Sequence, residues 1–475
     1  MAASLQAPRG GARSLPCDSY DTGSTKVNLG HLEAACNTSV SSRSCLYRMP
    51  RGPPVLAINL VIFIVVLWIC SKRWPFTAFV FGASAALYYY GIPVELSLGF
   101  ASHATVFGDQ APTYEQLLQI SVVATSSATL FFIGLLMAGH RDFGWRRNKD
   151  GWLMELPREV DGVGLRRRCI ALVALGLTLM ATLYRREFLG KFESYEANQG
   201  ISYNESGLSW LTSLLCFGLA LSAHASVSRS WPLVVLMSGL LCGFGLLSSD
   251  KNPILLAVLA VVPGSLYSAG TPARVRSVRT ISIVSLLVIG VLLAPAFSMY
   301  RSGVRLGEFV ERYQFSFTRI DVAGPFRSLV ASLDSPEPPP AGAGAMYWND
   351  LKTLIPKSLY PDRPLNPAEE FAESNIKQWA PGKGLGYSLL ADGVRRYGVT
   401  YAPLQYFVLG FLWGLYWRLV GWLAIGSSGV PGLYTILGGA ILVLMHRGPM
   451  VGAVKPLLIF GLPLLLVTNA RWIRN

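Results

Sequence analysis

Apolar stretches of nearly membrane-spanning length recur along this chain at about 54–70, 75–91, 117–138, 168–184, 208–224, 231–248, 252–268 and 280–298. Three more follow at 401–422, 429–446 and 450–468. Hydrocarbon offers no water to satisfy backbone N–H and C=O groups, so such segments cross a bilayer as helices that bond internally. Each crossing takes about 20 residues. The pattern predicts an all-α, polytopic integral membrane protein with about 11 transmembrane helices. Only 14% of the 475 residues are charged, against roughly 25% in soluble domains. The net charge of +14 would suggest nucleic acid in a soluble protein. Here the cations gather between apolar runs, where they orient the chain in a membrane, and no nucleic-acid partner is expected.

Four segments follow from this pattern. Residues 1–53 form a polar tail rich in Gly, Ser and Arg, without helical period, and read as disordered. Residues 54–298 form an N-terminal bundle of about eight spans, and 401–475 a C-terminal bundle of about three. Between them, 299–400 is one long polar segment. Arg141, Arg146, Arg147, Lys149, Arg158 and Arg166 to Arg168 crowd the loop after the third run. Arg274, Arg276 and Arg279 precede the eighth run, and Arg471 and Arg474 end the chain. Cytoplasmic loops collect such residues, which places the C-terminus in the cytoplasm and 299–400 outside. The positive charge of Arg48 and Arg51 opposes the outward position this register gives the tail.

Loop 92–116, with Glu95, Asp109 and Glu115, suits the outer face. Several other outward positions carry cations against the topogenic bias: Arg185, Lys251, Arg301, Arg305, Arg395, Arg396 and Arg447. An anionic ligand at the outer boundary accounts for them together, whereas any one alone is as easily a side chain snorkelling to lipid. Arg301, Arg305, Glu308, Arg312 and Arg319 recur at helical spacing, with Leu306, Phe309, Tyr313 and Phe317 in the complementary positions. This is an amphipathic helix, either on the membrane surface or prolonging the eighth span. The proline-rich stretch 335–344 then acts as a linker.

Absences narrow the chemistry. The chain lacks a Gly-x-x-x-x-Gly-Lys-[Ser/Thr] phosphate loop, a Gly-x-Ser-x-Gly elbow and an Asp-x-Asp pair. Four of the runs (117–138, 208–224, 280–298 and 401–422) contain no acid, which disfavours an ion-coupled transporter. No His or Cys spacing suits a metal, and three tail cysteines make a poor disulfide framework. No metal, cofactor or structural disulfide is expected.

Within the long segment, Leu354-Ile-Pro-Lys-Ser-Leu-Tyr-Pro-Asp-Arg-Pro364 cannot be helix or central strand, because proline restricts its own backbone and that of the residue before it. It reads as a rigid extended loop presenting Lys357, Asp362 and Arg363. Ser388-Leu-Leu-Ala-Asp-Gly-Val-Arg-Arg-Tyr-Gly398 follows. The first segment resembles the I-P-[basic]-x-x-[aromatic]-P-[acid]-[basic]-P motif of Wzy-type O-antigen polymerases, the oligosaccharide repeat unit polymerase family. The second is similar to that family's Ser-x-x-x-Glu-x-Tyr-x-x-Phe-Gly segment, with Asp392 for the acid and Tyr397 for the aromatic. Val394 stands where the family has tyrosine. The layout over 54–470 is also similar, and O-antigen ligases share it.

The resemblance implies a membrane glycosyltransferase at the outer face of the cytoplasmic (inner) membrane. It would transfer a growing glycan from undecaprenyl pyrophosphate onto another lipid-linked oligosaccharide. A flippase and a chain-length regulator would be its partners. The donor is already activated, so no nucleotide is needed, and arginines can stabilise the leaving pyrophosphate. The acceptor hydroxyl needs a base, for which Asp392, His446 and Glu308 are the first candidates and Asp362 and Asp321 weaker ones. Asp362, beside Arg363, reads first as a loop-holding ion pair. Arg301, Arg305, Arg185, Lys357, Arg363, Arg395, Arg396 and Arg447 are the candidate pyrophosphate and glycan ligands. A flippase of lipid-linked sugar and a non-catalytic membrane scaffold are the alternatives from other classes.

Overall fold

A computed structural model describes residues 53–98, 112–143, 145–148, 151–154, 162–183, 208–227, 230–248, 250–266, 316–317, 323–334, 342–355, 360–375, 386–423 and 429–468. The described elements are almost all helical. α1 (Pro53–Ser71), α2 (Pro75–Ser97) and α3 (Tyr114–Met137) come first. A small antiparallel hairpin follows, β1 (Trp145–Asn148) with β2 (Gly151–Met154). Then come α4 (Gly162–Leu183), α5 (Leu208–Ser226), α6 (Trp231–Leu247) and α7 (Asn252–Leu266). The long polar segment contributes α8 (Ala323–Asp334), α9 (Gly342–Thr353) and α10 (Pro367–Asn375). α11 (Leu389–Leu423), α12 (Val430–Leu444) and α13 (Met450–Thr468) close the described chain.

Four of these helices, α2, α3, α11 and α13, are long and apolar enough to cross a membrane, and shorter apolar helices occupy 55–71, 211–226, 231–247, 252–262 and 430–444. Every apolar run read from the sequence falls on a helix except 280–298, which lies outside the described residues together with the tail up to residue 52 and residues 299–315. Three boundaries need correction. α2 runs on to Ser97, which puts Glu95 on a buried helical face and not in a loop. The hairpin interrupts the otherwise helical chain within loop 139–167. α11 begins at Leu389, twelve residues before the apolar run at 401, because the Ser388 motif is itself helical.

α3 and α11 form the centre of the bundle, with α1 and α8 against them. α4 to α7 pack among themselves, and α12 joins them to α2. α3 starts on a capping box in which Thr113 Oγ1 accepts from Gln116 N and Gln116 Oε1 accepts from Thr113 N. It stops at Gly139, whose φ of 64° only glycine adopts cheaply, with His140 N donating to Leu135 O. Along α11, Leu404, Val408, Leu412, Leu415, Leu419 and Trp422 are exposed at spacings of three and four, an apolar stripe of the kind that faces lipid in a membrane-spanning helix. Its opposite face meets α3 through glycines. A Cβ on Gly410 would stand 2.1 Å from Phe131 O, and one on Gly134 2.3 Å from Phe407 O. Inside α2, Pro93 lacks the N–H that Tyr89 O would accept from, and the turn Ala86–Tyr90 widens to π geometry just before it.

Candidate functional site

Where the first turns of α11 meet α9, three charged side chains are buried together. Ser388 caps the helix, its Oγ accepting from Ala391 N at 3.0 Å. One turn apart and facing inward, Asp392 and Arg396 follow. The backbone then breaks at Gly398 (φ 75°, ψ 171°) before the longer leg of α11 begins. The break swings Gln405 back against the first leg, where its Nε2 donates to Asp392 Oδ2 at 3.1 Å. Gly393 leaves room for this, since a Cβ there would lie 2.6 Å from Gln405 Oε1.

Arg396 joins the two elements. Its Nε donates to Asp392 Oδ1 at 2.9 Å and its Nη2 to Asp350 Oδ2, on α9, at 2.6 Å. The ring of Tyr347, also on α9, lies 4.1 Å from the guanidinium carbon. Tyr387 Oη donates to Asp392 Oδ1 at 3.4 Å. The side chains of Arg396 and Asp392 are wholly buried, and that of Asp350 is 6% exposed. One arginine thus serves two carboxylates, which carry a net negative charge with it when both are ionised. Burial first, and then the charge of Asp392, raise the Asp350 carboxyl to about 6 in spite of Arg396.

A second layer surrounds this network. Arg395 Nη2 donates to Glu370 Oε1 of α10 at 3.0 Å, an ion pair at the rim. Arg363 Nη1 donates to Thr353 O and Ile355 O, both at 3.0 Å, and so caps the end of α9. Arg363 therefore holds the loop; the neighbouring Asp362 is exposed and forms no ion pair among the described residues. Asn366 and Glu369 start α10 as a reciprocal cap. Met445 O accepts from Leu389 N, which ties the turn after α12 to the start of α11. That turn carries Arg447 and the buried His446, whose Nδ1 is 3.4 Å from Tyr89 Oη. Tyr89 Oη in turn lies 3.1 Å from Tyr406 Oη, on α11. The rings of Phe81, Tyr88, Tyr89 and Tyr406 surround the imidazole.

Of the sequence candidates, Asp392, Arg395, Arg396 and His446 come together at this end of α11. Arg301, Arg305, Glu308, Arg185, Lys357 and Asp321 lie outside the described residues. Sequence reasoning missed Asp350, Tyr347, Gln405 and Glu370. The signal available for Asp350 was its place just after the Tyr347-Trp348 pair, four residues ahead of the proline-rich motif.

A separate buried carboxylate, Asp142, follows the end of α3. It accepts from Phe76 N (2.8 Å), Thr77 N (3.0 Å), Thr77 Oγ1 (2.6 Å) and Tyr434 Oη (2.7 Å), and so caps the first turn of α2 from a distant loop. His140 Nε2 is 3.8 Å from Asp142. Burial, helped by Arg73, depresses His140 to about 3, so this contact is not an ion pair. This network fastens α2, α3 and α12 together. No family model, curated protein or solved structure matches the chain.

Proposed function

We propose that this chain is a membrane glycosyltransferase that polymerises undecaprenyl-pyrophosphate-linked oligosaccharide repeat units at the outer face of the cytoplasmic membrane. The observation that carries the reading is Arg396 held between Asp392 and Asp350 in the segment that resembles the polymerase motif. In the reaction, an acceptor hydroxyl oxygen bonds to the anomeric carbon of the donor glycan. The bond from that carbon to the pyrophosphate oxygen breaks, and undecaprenyl pyrophosphate leaves with the electron pair. Asp350 takes the hydroxyl proton. Asp392 and Tyr347 hold Arg396 in place, and Arg301 and Arg305, four residues apart in the sequence, would grip the pyrophosphate in bidentate forks. The full reading includes about 11 spans, an outward segment 299–400 and a cytoplasmic C-terminus.

A carboxyl near 6 is matched to proton transfer at neutral pH, and a positioned base contributes about 10²- to 10⁴-fold. Asp350→Asn is therefore expected to lower the polymerisation rate at least about 100-fold with normal protein abundance. The base works deprotonated, so the wild-type rate should rise through about pH 6 and level off above it. Measuring rate against pH for purified protein checks both. A flat profile between pH 5 and 8, or an active Asp350→Asn variant, removes Asp350 from the mechanism.

Topology has its own test. In a background without the native cysteines, Ala343→Cys should react with a membrane-impermeant maleimide on intact cells. Lys149→Cys should react only after permeabilisation. The reverse pattern would put the network on the cytoplasmic side and rule out a lipid-linked donor presented from outside.

A further inference from the structure

We infer that helix α9 and the turn after it are seated on lipid, with Trp348, Leu351 and Ile355 in the boundary between headgroups and acyl chains. The two sides of this helix differ sharply. Inward, Tyr347 lies against the Arg396 guanidinium, Asp350 bonds to it, and Thr353 is buried. Outward, Trp348 is 61% exposed, Leu351 54% and Ile355 41%. Trp348 and Leu351, three residues apart, share one face of α9, and Ile355 lies in the turn that follows the end of the helix at Thr353. A helix and turn surrounded by water gain nothing from three large apolar side chains on their open side, and such a patch marks an interaction surface.

What covers the stripe follows from where α9 is fastened. The ring of Tyr347 lies 6.0 Å from that of Tyr397, at the end of the first leg of α11. Tyr397 and Tyr401 are themselves 36% and 59% exposed, and the lipid-facing stripe of α11 begins at the next turn with Leu404. Exposed tyrosines followed by exposed leucines are the pattern of a span crossing from headgroups into acyl chains. α9 is attached at that level. Its Lys352 Nζ stands 5.9 Å from the centroid of the Trp348 ring, a cation–π pair whose ammonium suits lipid phosphate and whose indole suits the boundary below it. Lipid contact then fixes the height of Asp350, on the same helix, relative to the membrane. On the function proposed above, that sets the base level with a pyrophosphate held at the surface by its own lipid tail.

The test reads lipid contact without reading activity, so it stands or falls apart from the enzymatic reading. Nitroxide labels are placed at Trp348→Cys, Leu351→Cys and Asn349→Cys in protein whose 7 cysteines are replaced by alanine, and the protein is reconstituted in phosphatidylglycerol–phosphatidylethanolamine nanodiscs. Relaxation by oxygen, which concentrates in lipid, is compared with relaxation by a water-soluble nickel chelate. Leu412→Cys, in the stripe of α11, gives the lipid reference and shows that the cysteine-free protein is folded. We expect labels at 348 and 351 to favour oxygen several-fold, as Leu412 does, and the label at 349 to favour nickel. Preference for nickel at 348 and 351 would mean water covers the stripe and would overturn the inference. Protection from both agents would mean a second copy or another protein covers it, and would overturn it equally.

Discussion

Replacing Arg396 with alanine is expected to cost about 3–5 kcal/mol of folding stability, the usual consequence of removing one partner from a buried ion pair. Asp392 is wholly buried and, among the described residues, would keep Gln405 and Tyr387 as donors. Asp350 would lose its only charged partner among the described residues. Arg396→Lys should recover part of the loss, because one ammonium cannot reach two carboxylates on different helices as the guanidinium fork does. Arg396→Met with Asp392→Leu should recover more, since apolar pairs often replace buried ion pairs at little cost. That double variant should still make no long glycan, which separates the stabilising role of the network from its chemical one. Thermal unfolding in detergent together with glycan laddering would read both. A single Arg396→Ala variant within about 0.5 kcal/mol of wild type, the range of neutral surface changes, would show that the network contributes nothing to the fold.

Gly410→Leu should be worse for accumulation of the protein. The added Cβ meets a backbone carbonyl, Phe131 O at 2.1 Å, and backbone cannot turn aside as a flexible side chain can. α3 and α11 would have to separate. In a bilayer, helix pairs are held by close packing with no hydrophobic gain to offset a gap. Overpacking costs about 1–3 kcal/mol even where side chains can shift, and the same close approach at Gly134 and at Gly414, where a Cβ would lie 2.5 Å from Ala138 Cβ, leaves the two segments little freedom to yield. Gly239→Leu on α6, where nothing lies within 4 Å, is the matched control and should accumulate normally. Quantifying membrane-inserted protein for both variants decides it, and equal levels would refute the close α3–α11 crossing.

Much of the helical frame was legible because hydrophobic runs report burial in lipid or protein directly. The places where the reading failed have physical causes. Glu95 reads as a loop residue when the apolar run is ended at residue 91, ahead of Pro93, yet the helix continues past it to Ser97. Residues 389–397 fall outside the span read at 401–422 because charge interrupts the apolar pattern there, whereas Ser388 supplies a cap and Arg396 and Asp392 neutralise each other one turn apart, so that the helix starts at Leu389. Gly410 and Gly414, a small-x-x-x-small pair, carried a readable sign of the α3 crossing. Asp350 was invisible as a partner of Arg396 because pairing across 46 residues depends on how α9 folds back. Arg363 was read as a ligand from its charge alone, and only its two carbonyl partners reveal its loop-capping role.

The proposed function is tested most directly by the length pattern of surface glycan in cells that lack this chain, with and without its re-expression. The account predicts that lipid-linked and transferred glycans stop at a single repeat unit, and that re-expression restores the ladder while Asp350→Asn does not. Full-length polymer that stays on its lipid carrier would instead indicate a ligase, and precursor trapped on the cytoplasmic side a transporter. An unchanged ladder would contradict any role in assembling that glycan.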